Sequence, residues 1–408
     1  MLEPSLFLRK AKQSPVVKPP DNARNFDAVV VGAGPAGSVV ALRLAREGCR
    51  VALVERSDLN EPRAGESLAP AVQPLLADLS LWNAFLDLHP APSYGTCSVW
   101  GNEETEIHSH MAGRWGCGWH VDRLEFDRML ATSAREAGAT LLCGTVVLQC
   151  ASSGENWVLN LRHRTEAKSG TESFQLGAAV VIDASGRAAS LGRLLGARRM
   201  VFDRLIGIGV TQRGMDISQQ GYVSVESSEH GWWYAAPVPK DRMVVMLMTD
   251  SDLCVRGRLS TPTVWLEELQ KTSITCARAP GVASMKDLRV WSAASQRLAR
   301  NCKKARWLAV GDAALAVDPV SGSGVVRSLR SSKACAEAAL AILGGKTSDA
   351  LVKYENGCDL ECVEFLRERA GYYRIEQRWP TADFWRRRVS KGIARLSQVP
   401  DNCGALWH

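Results

Sequence analysis

The stretch Gly32-Ala33-Gly34-Pro35-Ala36-Gly37 constrains this chain more than any other. It follows DAVVV at 27–31, which reads as a buried parallel strand, and it opens a helical pattern over 36–47. RVALVE at 50–55 reads as a second strand, completing a βαβ unit. In such a unit Gly32 permits the tight turn, Gly34 lets the backbone approach a pyrophosphate, and Gly37 allows close helix–strand packing. The helix N-terminus, with Pro35 and Ala36 in its first turn, meets the phosphate charge. Glu55 closes the second strand, 18 residues beyond Gly37, where a carboxylate can accept both hydroxyls of an adenosine ribose. Arg56 follows it; an arginine there can also signal a 2′-phosphate, so this unit alone leaves the dinucleotide open.

Further along, 122–138 has helical periodicity with Gly138 as its stop. Residues 140–149 and 155–162 alternate like antiparallel strands, and VVID at 180–183 reads as a short buried strand. A run of strands is expected at 205–212, 221–226, 231–238 and 242–249, then strand and helix start at 307–314, and helices at 324–344 and 351–371. The expected fold is α/β: a discontinuous Rossmann-type domain over 26–90, 118–200 and 291–350, a β-rich substrate domain over 91–117 and 201–290, and a C-terminal helical segment over 351–408. Residues 1–25 read as a disordered leader.

Composition excludes several classes. A net charge of +7, scattered over 408 residues, favours acidic ligands or an acidic partner rather than nucleic acid. No apolar run reaches membrane-spanning length, and the N-terminus lacks a signal-peptide pattern. The 12 cysteines include no Cys-x-x-Cys pair, and His108 and His110 have no nearby partner, so no metal site is expected. Reduced thiols and a cytoplasmic location follow as expectations.

Two later motifs narrow the cofactor. VVIDASGR at 180–187 carries Asp183 and Gly186, and GDAALAVDPVSGSG at 311–324 carries Gly311, Asp312, Asp318, Pro319, Gly322, Ser323 and Gly324, followed by Val325. Small residues let backbone contact a planar ring, and a helix starting near Ser323 would aim its N–H groups at an electron-rich edge. With these motifs in this order the chain resembles the flavoprotein monooxygenases of the p-hydroxybenzoate hydroxylase type, with their geranylgeranyl reductase and tryptophan halogenase relatives. The resemblance implies FAD, with Asp312 on the ribityl chain, the segment from Asp318 to Val325 lining the flavin and pyrophosphate, and Asp183 and Gly186 near the dinucleotide. It also places Arg63, Glu66 and Ser67, in PRAGESLAP, beside the flavin, and Arg123 on the FAD phosphates.

Only one dinucleotide fingerprint is present, which argues against a pyridine-nucleotide-disulfide enzyme. Halogenases of this group carry Trp-x-Trp-x-Ile-Pro and an active-site lysine. Here Trp232-Trp233-Tyr234-Ala235-Ala236-Pro237 departs from that signature, and 91–102 holds no lysine. PRAGESLAP, PSYGTCSVWG, GWHVDRLEFDRML, GWWYAAPVP and YYRIEQRWPTADFWRRR together resemble the flavoprotein maturases of enzymes with tryptophan-derived quinone cofactors, such as quinohemoprotein amine dehydrogenase. That implies hydroxylation of an indole ring through a flavin C4a-hydroperoxide and O2, on a tryptophan within a partner polypeptide, the precursor subunit of a quinone-cofactor enzyme. The flavin would be reduced by NAD(P)H or a separate reductase.

His120, with an ordinary pKa near neutrality, is the acid–base candidate; Glu66 and Tyr234 join it as catalytic candidates. Trp232 and Trp233 are candidates for stacking on the substrate, and core packing is their plainer role. Arg386, Arg387 and Arg388 are expected to attract an acidic partner. Arg327 and Arg330 stand where related chains more often carry small or apolar residues. Three other readings stay open: a hydroxylase of a free small aromatic molecule, a halogenase of one, or a non-catalytic FAD-containing chaperone for the precursor.

Overall fold

The computed structural model describes residues 24–390 apart from 62, 165–169, 215–220, 280–287 and 300–305. The expected leader, except its last two residues, and the end of the C-terminal segment lie outside the described residues. The βαβ unit forms as its pattern requires: strand Arg24–Val31, helix Pro35–Arg46 and strand Val51–Val54, with the strands parallel. The first strand shows no apolar–polar alternation because both its faces are covered; Ala28, Val29 and Val30 are all fully buried. Strand Thr171–Asp183 lies parallel on the other side of the first strand. Its first half pairs antiparallel with Asn156–Arg164, and its last three residues pair parallel with Trp307–Ala309. The chain thus returns to this sheet after a long excursion, as the sequence suggests.

The 140–149 stretch is two elements, not one. Thr140–Leu142 extends the parallel sheet beside Val51–Val54, and Thr145–Ser153 turns back against Asn156–Arg164. Gly144, at φ +58, makes the break, a conformation that favours glycine. VVID is the end of a 13-residue strand rather than a separate short one.

The second large sheet has seven strands, in the order Arg289–Ser292, Leu205–Arg213, Arg242–Asp250, Gly231–Val238, Tyr222–Ser228, Gly95–Val99 and Glu106–Ser109. Side chains alternate across it. Trp233 faces a core built with Trp265 of helix Pro262–Gln270, their rings 4.9 Å apart. Trp232 faces the opposite way, among Trp100, Tyr373, Phe384 and Trp385. Both tryptophans are sealed, so neither can stack on a substrate; they pack the sheet to its two coverings. A small three-stranded sheet of Ser67–Leu68, Gly118–His120 and Ala91–Ser93 joins the two halves.

The helices Gly324–Leu343 and Thr347–Ile375 pack on the first sheet, and Asp383–Ser390 closes over Trp232. Arg327 pairs with Glu361 of the long helix at 2.9 Å and lies over Phe365, which accounts for a cation at that position. The expectation for the arginine run needs correction. Arg388 is buried and pairs with Asp250 at 2.7 Å, its guanidinium 3.6 Å from the Phe384 ring centroid. Arg387 binds Asp250 and Asp252, and Arg386 binds Asp383. Arg387 and Arg388 thus hold the last described helix to the sheet and are spent internally, whereas Arg386 pairs within its own helix and stays exposed. Among the described residues no helix is long and apolar enough to cross a membrane, and no group of three or more His, Cys, Asp or Glu could hold a metal.

Removing one partner of a buried pair leaves the other charge stranded. Arg388→Ala is therefore expected to destabilise the protein by about 3 kcal/mol, with Arg387 covering part of the Asp250 charge. Chemical denaturation measures this; a change under about 0.5 kcal/mol would contradict it.

Candidate functional site

Three backbone segments converge at the end of the first sheet. A Cβ on Gly32 would stand 2.3 Å from the Ala184 carbonyl oxygen, and one on Gly37 would stand 1.9 Å from the Gly32 oxygen. A Cβ on Gly311, itself at φ +59, would meet the Ala36 Cβ at 2.7 Å. Only glycine fits these places, and the result is bare backbone beside two helix starts. Neither the helix after Gly34 nor the one after Ser323 has a side-chain cap, so their first N–H groups are open to an anion. Ser323 Oγ is instead held to Ser321 Oγ at 2.7 Å. Gly322 sits at φ +59 just before, Pro319 starts the 3₁₀ turn Pro319–Ser321, and Val325 packs in the first helical turn.

Charge is concentrated at the mouth of this cradle. Glu55 Oε2 accepts from the Ala33 N–H at 2.8 Å, and Oε1 accepts from the Ser57 N–H and hydroxyl. Burial alone would raise its pKa, but these donors and Arg63 hold it below the ordinary value. Oε2 keeps an acceptor position for a ribose hydroxyl. Arg63 lies 3.4 Å from Glu55 and 3.1 Å from Asp127, and it is the cation nearest the Gly34 position. Arg123 is turned toward Asp127 and the carbonyls of Ala64 and Gly65, so it braces the 63–66 loop. Arg56 is exposed beside Glu55. Asp127, fully buried between the two arginines, escaped the sequence reading; a carboxylate four residues after Arg123, on the helix face with Phe126 and Leu130, was its signal.

The Asp183 carboxylate is consumed by the turn it precedes, accepting from Ser185 and from the Gly192 N–H. It shapes the wall that presses on Gly32 and has no exposed atom to offer a ligand. Gly186, at φ +67, continues that turn into Arg187, which donates to the carbonyls of Ala294 and Val317 and lies 3.4 Å from Asp312. Asp312 is the more open acid of this end. Asp318 is sealed and binds the Val320 N–H and the Tyr373 hydroxyl, so it supports the loop from behind rather than lining the flavin with its side chain.

Glu66, Ser67, His120 and Tyr234 come together where the small sheet meets the large one. Tyr234 donates to Ser67 Oγ at 3.1 Å, and Ser67 Oγ lies 3.0 Å from His120 Nδ1. Ser67 Oγ thus joins the Tyr234 hydroxyl to the Nδ1 side of the imidazole, and Nε2 is buried with no hydrogen-bond partner. Burial, with the Arg278 charge second, lowers the His120 pKa to about 3. The expected titration near neutrality is therefore absent: His120 acts as a neutral ring. Burial pushes Glu66 upward, and burial together with the Glu66 charge pushes the Tyr234 hydroxyl well above its ordinary value. Arg278 was not foreseen; it lies on a short helix, Ile274–Arg278, in a part of the chain without clear periodicity.

A family model described as FAD binding domain matches residues 25–360. The chain belongs to this family. The glycine cradle, the open helix starts and Glu55 fit FAD, and the protein is an FAD-dependent oxidoreductase, an enzyme of that family. It is 32% identical over 368 residues to the putative FAD-dependent oxidoreductase LodB of Marinomonas mediterranea, covering 89% of this chain and 97% of that one. It is 26% identical over 367 residues to the tryptophan 2-halogenase of Chondromyces crocatus, covering 88% and 69%. Among solved structures it is similar to the myxobacterial chondrochloren halogenase CndH, with a TM-score of 0.79, 23% identity and coverage of 93% and 91%. It is also similar to the peptidyl tryptophan dihydroxylase QhpG, with a TM-score of 0.71, 22% identity and coverage of 89% and 78%.

Two outcomes follow. Gly37→Val should abolish FAD retention on gel filtration, since the added carbons collide with backbone; a yellow variant would refute the cradle. For His120, a pKa lowered in the folded state means the unfolded chain binds the extra proton. Stability from this group is therefore complete above about pH 6.5 and is lost as pH falls toward 3. His120→Gln should remove up to about 5 kcal/mol of that acid-linked loss, seen as a shallower stability–pH curve over this window; an unchanged slope would contradict it.

Proposed function

We propose that this FAD-dependent oxidoreductase is a monooxygenase that hydroxylates an indole ring, with a tryptophan inside a partner polypeptide as its substrate. The observation that carries the oxygenase reading is the group Glu66–Ser67–His120–Tyr234. Ala91 of strand Ala91–Ser93 pairs directly with His120, so the 91–102 stretch borders this group, and that stretch supplies no amine to hold a hypohalous acid. The groups present are a carboxyl, two hydroxyls and a neutral imidazole, suited to positioning and proton transfer.

FAD held at the Gly32–Gly37 and Gly311–Gly324 walls would, once reduced, supply the electrons that activate O2. The chain's own residues do the rest. Tyr234 and Ser67 fix the His120 ring through its Nδ1 side. A ring that has gained oxygen must lose a proton. His120 resists protonation, and Glu66, whose pKa burial raises, is the acceptor in this reading.

A polypeptide substrate is supported by the whole-chain resemblance to quinone-cofactor maturases and by the likeness to QhpG, a peptidyl tryptophan dihydroxylase. Arg387 and Arg388 no longer support it, because their charges are paired with Asp252 and Asp250 within the chain.

The reduced holoprotein is to be given O2 with free tryptophan, an indole-containing peptide, or an unmodified subunit encoded nearby, each with and without halide. Oxygen mass gains on the polypeptide, independent of halide, are expected, with Glu66→Gln slowing them by about 10²-fold. Halide-dependent products would overturn the oxygenase reading; efficient turnover of free tryptophan alone would overturn the polypeptide one.

A further inference from the structure

We infer that Tyr373 is a positioning residue that sets the Pro319–Gly324 loop by linking it to the substrate-side sheet. This goes beyond the proposed substrate and depends only on the FAD site.

Trp232 Nε1 donates to the Tyr373 hydroxyl at 3.0 Å, and that hydroxyl donates to Asp318 Oδ2 at 2.8 Å. The other Asp318 oxygen accepts the Val320 N–H at 3.1 Å and so shapes the turn leading into Gly322 and the open helix start at Ser323. The polarity of the relay is fixed, because an indole N–H only donates and a carboxylate accepts. Trp232, Tyr373 and Asp318 are all buried, so water cannot substitute for a lost member.

Tyr373 itself has no freedom. Its ring lies about 6 Å from those of Trp100, Phe384 and Trp385, and the Arg388 guanidinium sits 5.0 Å from its centroid. Arg388 in turn is anchored on Asp250 at the end of the strand paired with the Trp232 strand. The phenol therefore reports the position of the sheet and of the C-terminal helices to one carboxylate behind the flavin loop. The relay bears on the Pro319–Gly324 wall of the cradle and leaves the Gly32–Gly37 wall in place, so its loss should loosen the loop while the other dinucleotide contacts remain.

The test uses holoprotein carrying Tyr373→Phe, with Trp232→Phe as a second variant that keeps the Tyr373–Asp318 bond. Three quantities are read: FAD affinity by titration of apoprotein, amide exchange at Val320–Ser323, and the visible circular dichroism of bound flavin. For Tyr373→Phe the expected result is FAD affinity within about threefold of the parent. Amide exchange in the loop should be faster by about tenfold or more, the cost of a hydrogen bond to a charged group, and the flavin dichroism should change. Trp232→Phe should show the same changes in smaller degree. If Tyr373→Phe folds, and loop exchange and flavin dichroism match the parent, Tyr373 is a packing residue and the inference fails. If Tyr373→Phe does not fold, Trp232→Phe decides: altered loop exchange supports the inference, and parent-like exchange overturns it.

Discussion

No side chain can intervene between Gly32, Gly37 and Ala184, and the rest of the architecture is arranged around that contact. The Ala184 N–H binds the Val31 carbonyl at 2.8 Å, and the Val310 N–H binds the Asp183 carbonyl at 2.9 Å. Strand ends from three distant parts of the chain are thereby stacked in one register. Gly311 then abuts Ala36, which brings the second open helix start toward the first. The contact explains why the three glycine-bearing motifs lie so far apart in sequence. Each is one wall of a single cradle.

Buried carboxylates around the cradle are each satisfied in a different way, and the way assigns the role. Asp127 is clasped by Arg63 and Arg123 and fixes two cations near the dinucleotide. Asp183 is filled by hydrogen bonds within its own turn. Asp318 is shared between its own loop and Tyr373 of a helix more than fifty positions on. A buried charge without such partners would cost several kcal/mol, so these partner sets are conditions of folding as well as of binding.

The first βαβ unit and the strand runs were legible because each element carries its own period and punctuation: a fully apolar strand, glycines at fixed spacing, a closing acid. The order of the cofactor motifs was legible for the same reason. Trp232 and Trp233 misled because a sequence shows that adjacent aromatics exist but not that a strand sends them to opposite faces, each already covered. The arginine run misled in a similar way. Arg387 and Arg388 find Asp250 and Asp252 some 135 positions away, and no local pattern announces a pairing at that distance. His120 was found from its motif, but its protonation behaviour depends on burial and on Arg278, which only the packed structure brings near it.

Strand Gly231–Val238 unites these features. Residues two apart on a strand share a face and stand about 7 Å from each other. Trp232 reaches Tyr373 and the loop before Gly324, while Tyr234 reaches Ser67 and through it His120. One strand thus touches the support of the Pro319–Gly324 loop and the Ser67–His120 pair at once. Trp233, on the reverse face against Trp265, keeps that strand from shifting. Sliding the strand by one residue would exchange the two faces, sending Trp233 toward Tyr373 and removing Tyr234 from Ser67. The bulky, fully packed pair Trp232 and Trp233 therefore keeps both contacts in register, by making that slip prohibitively costly.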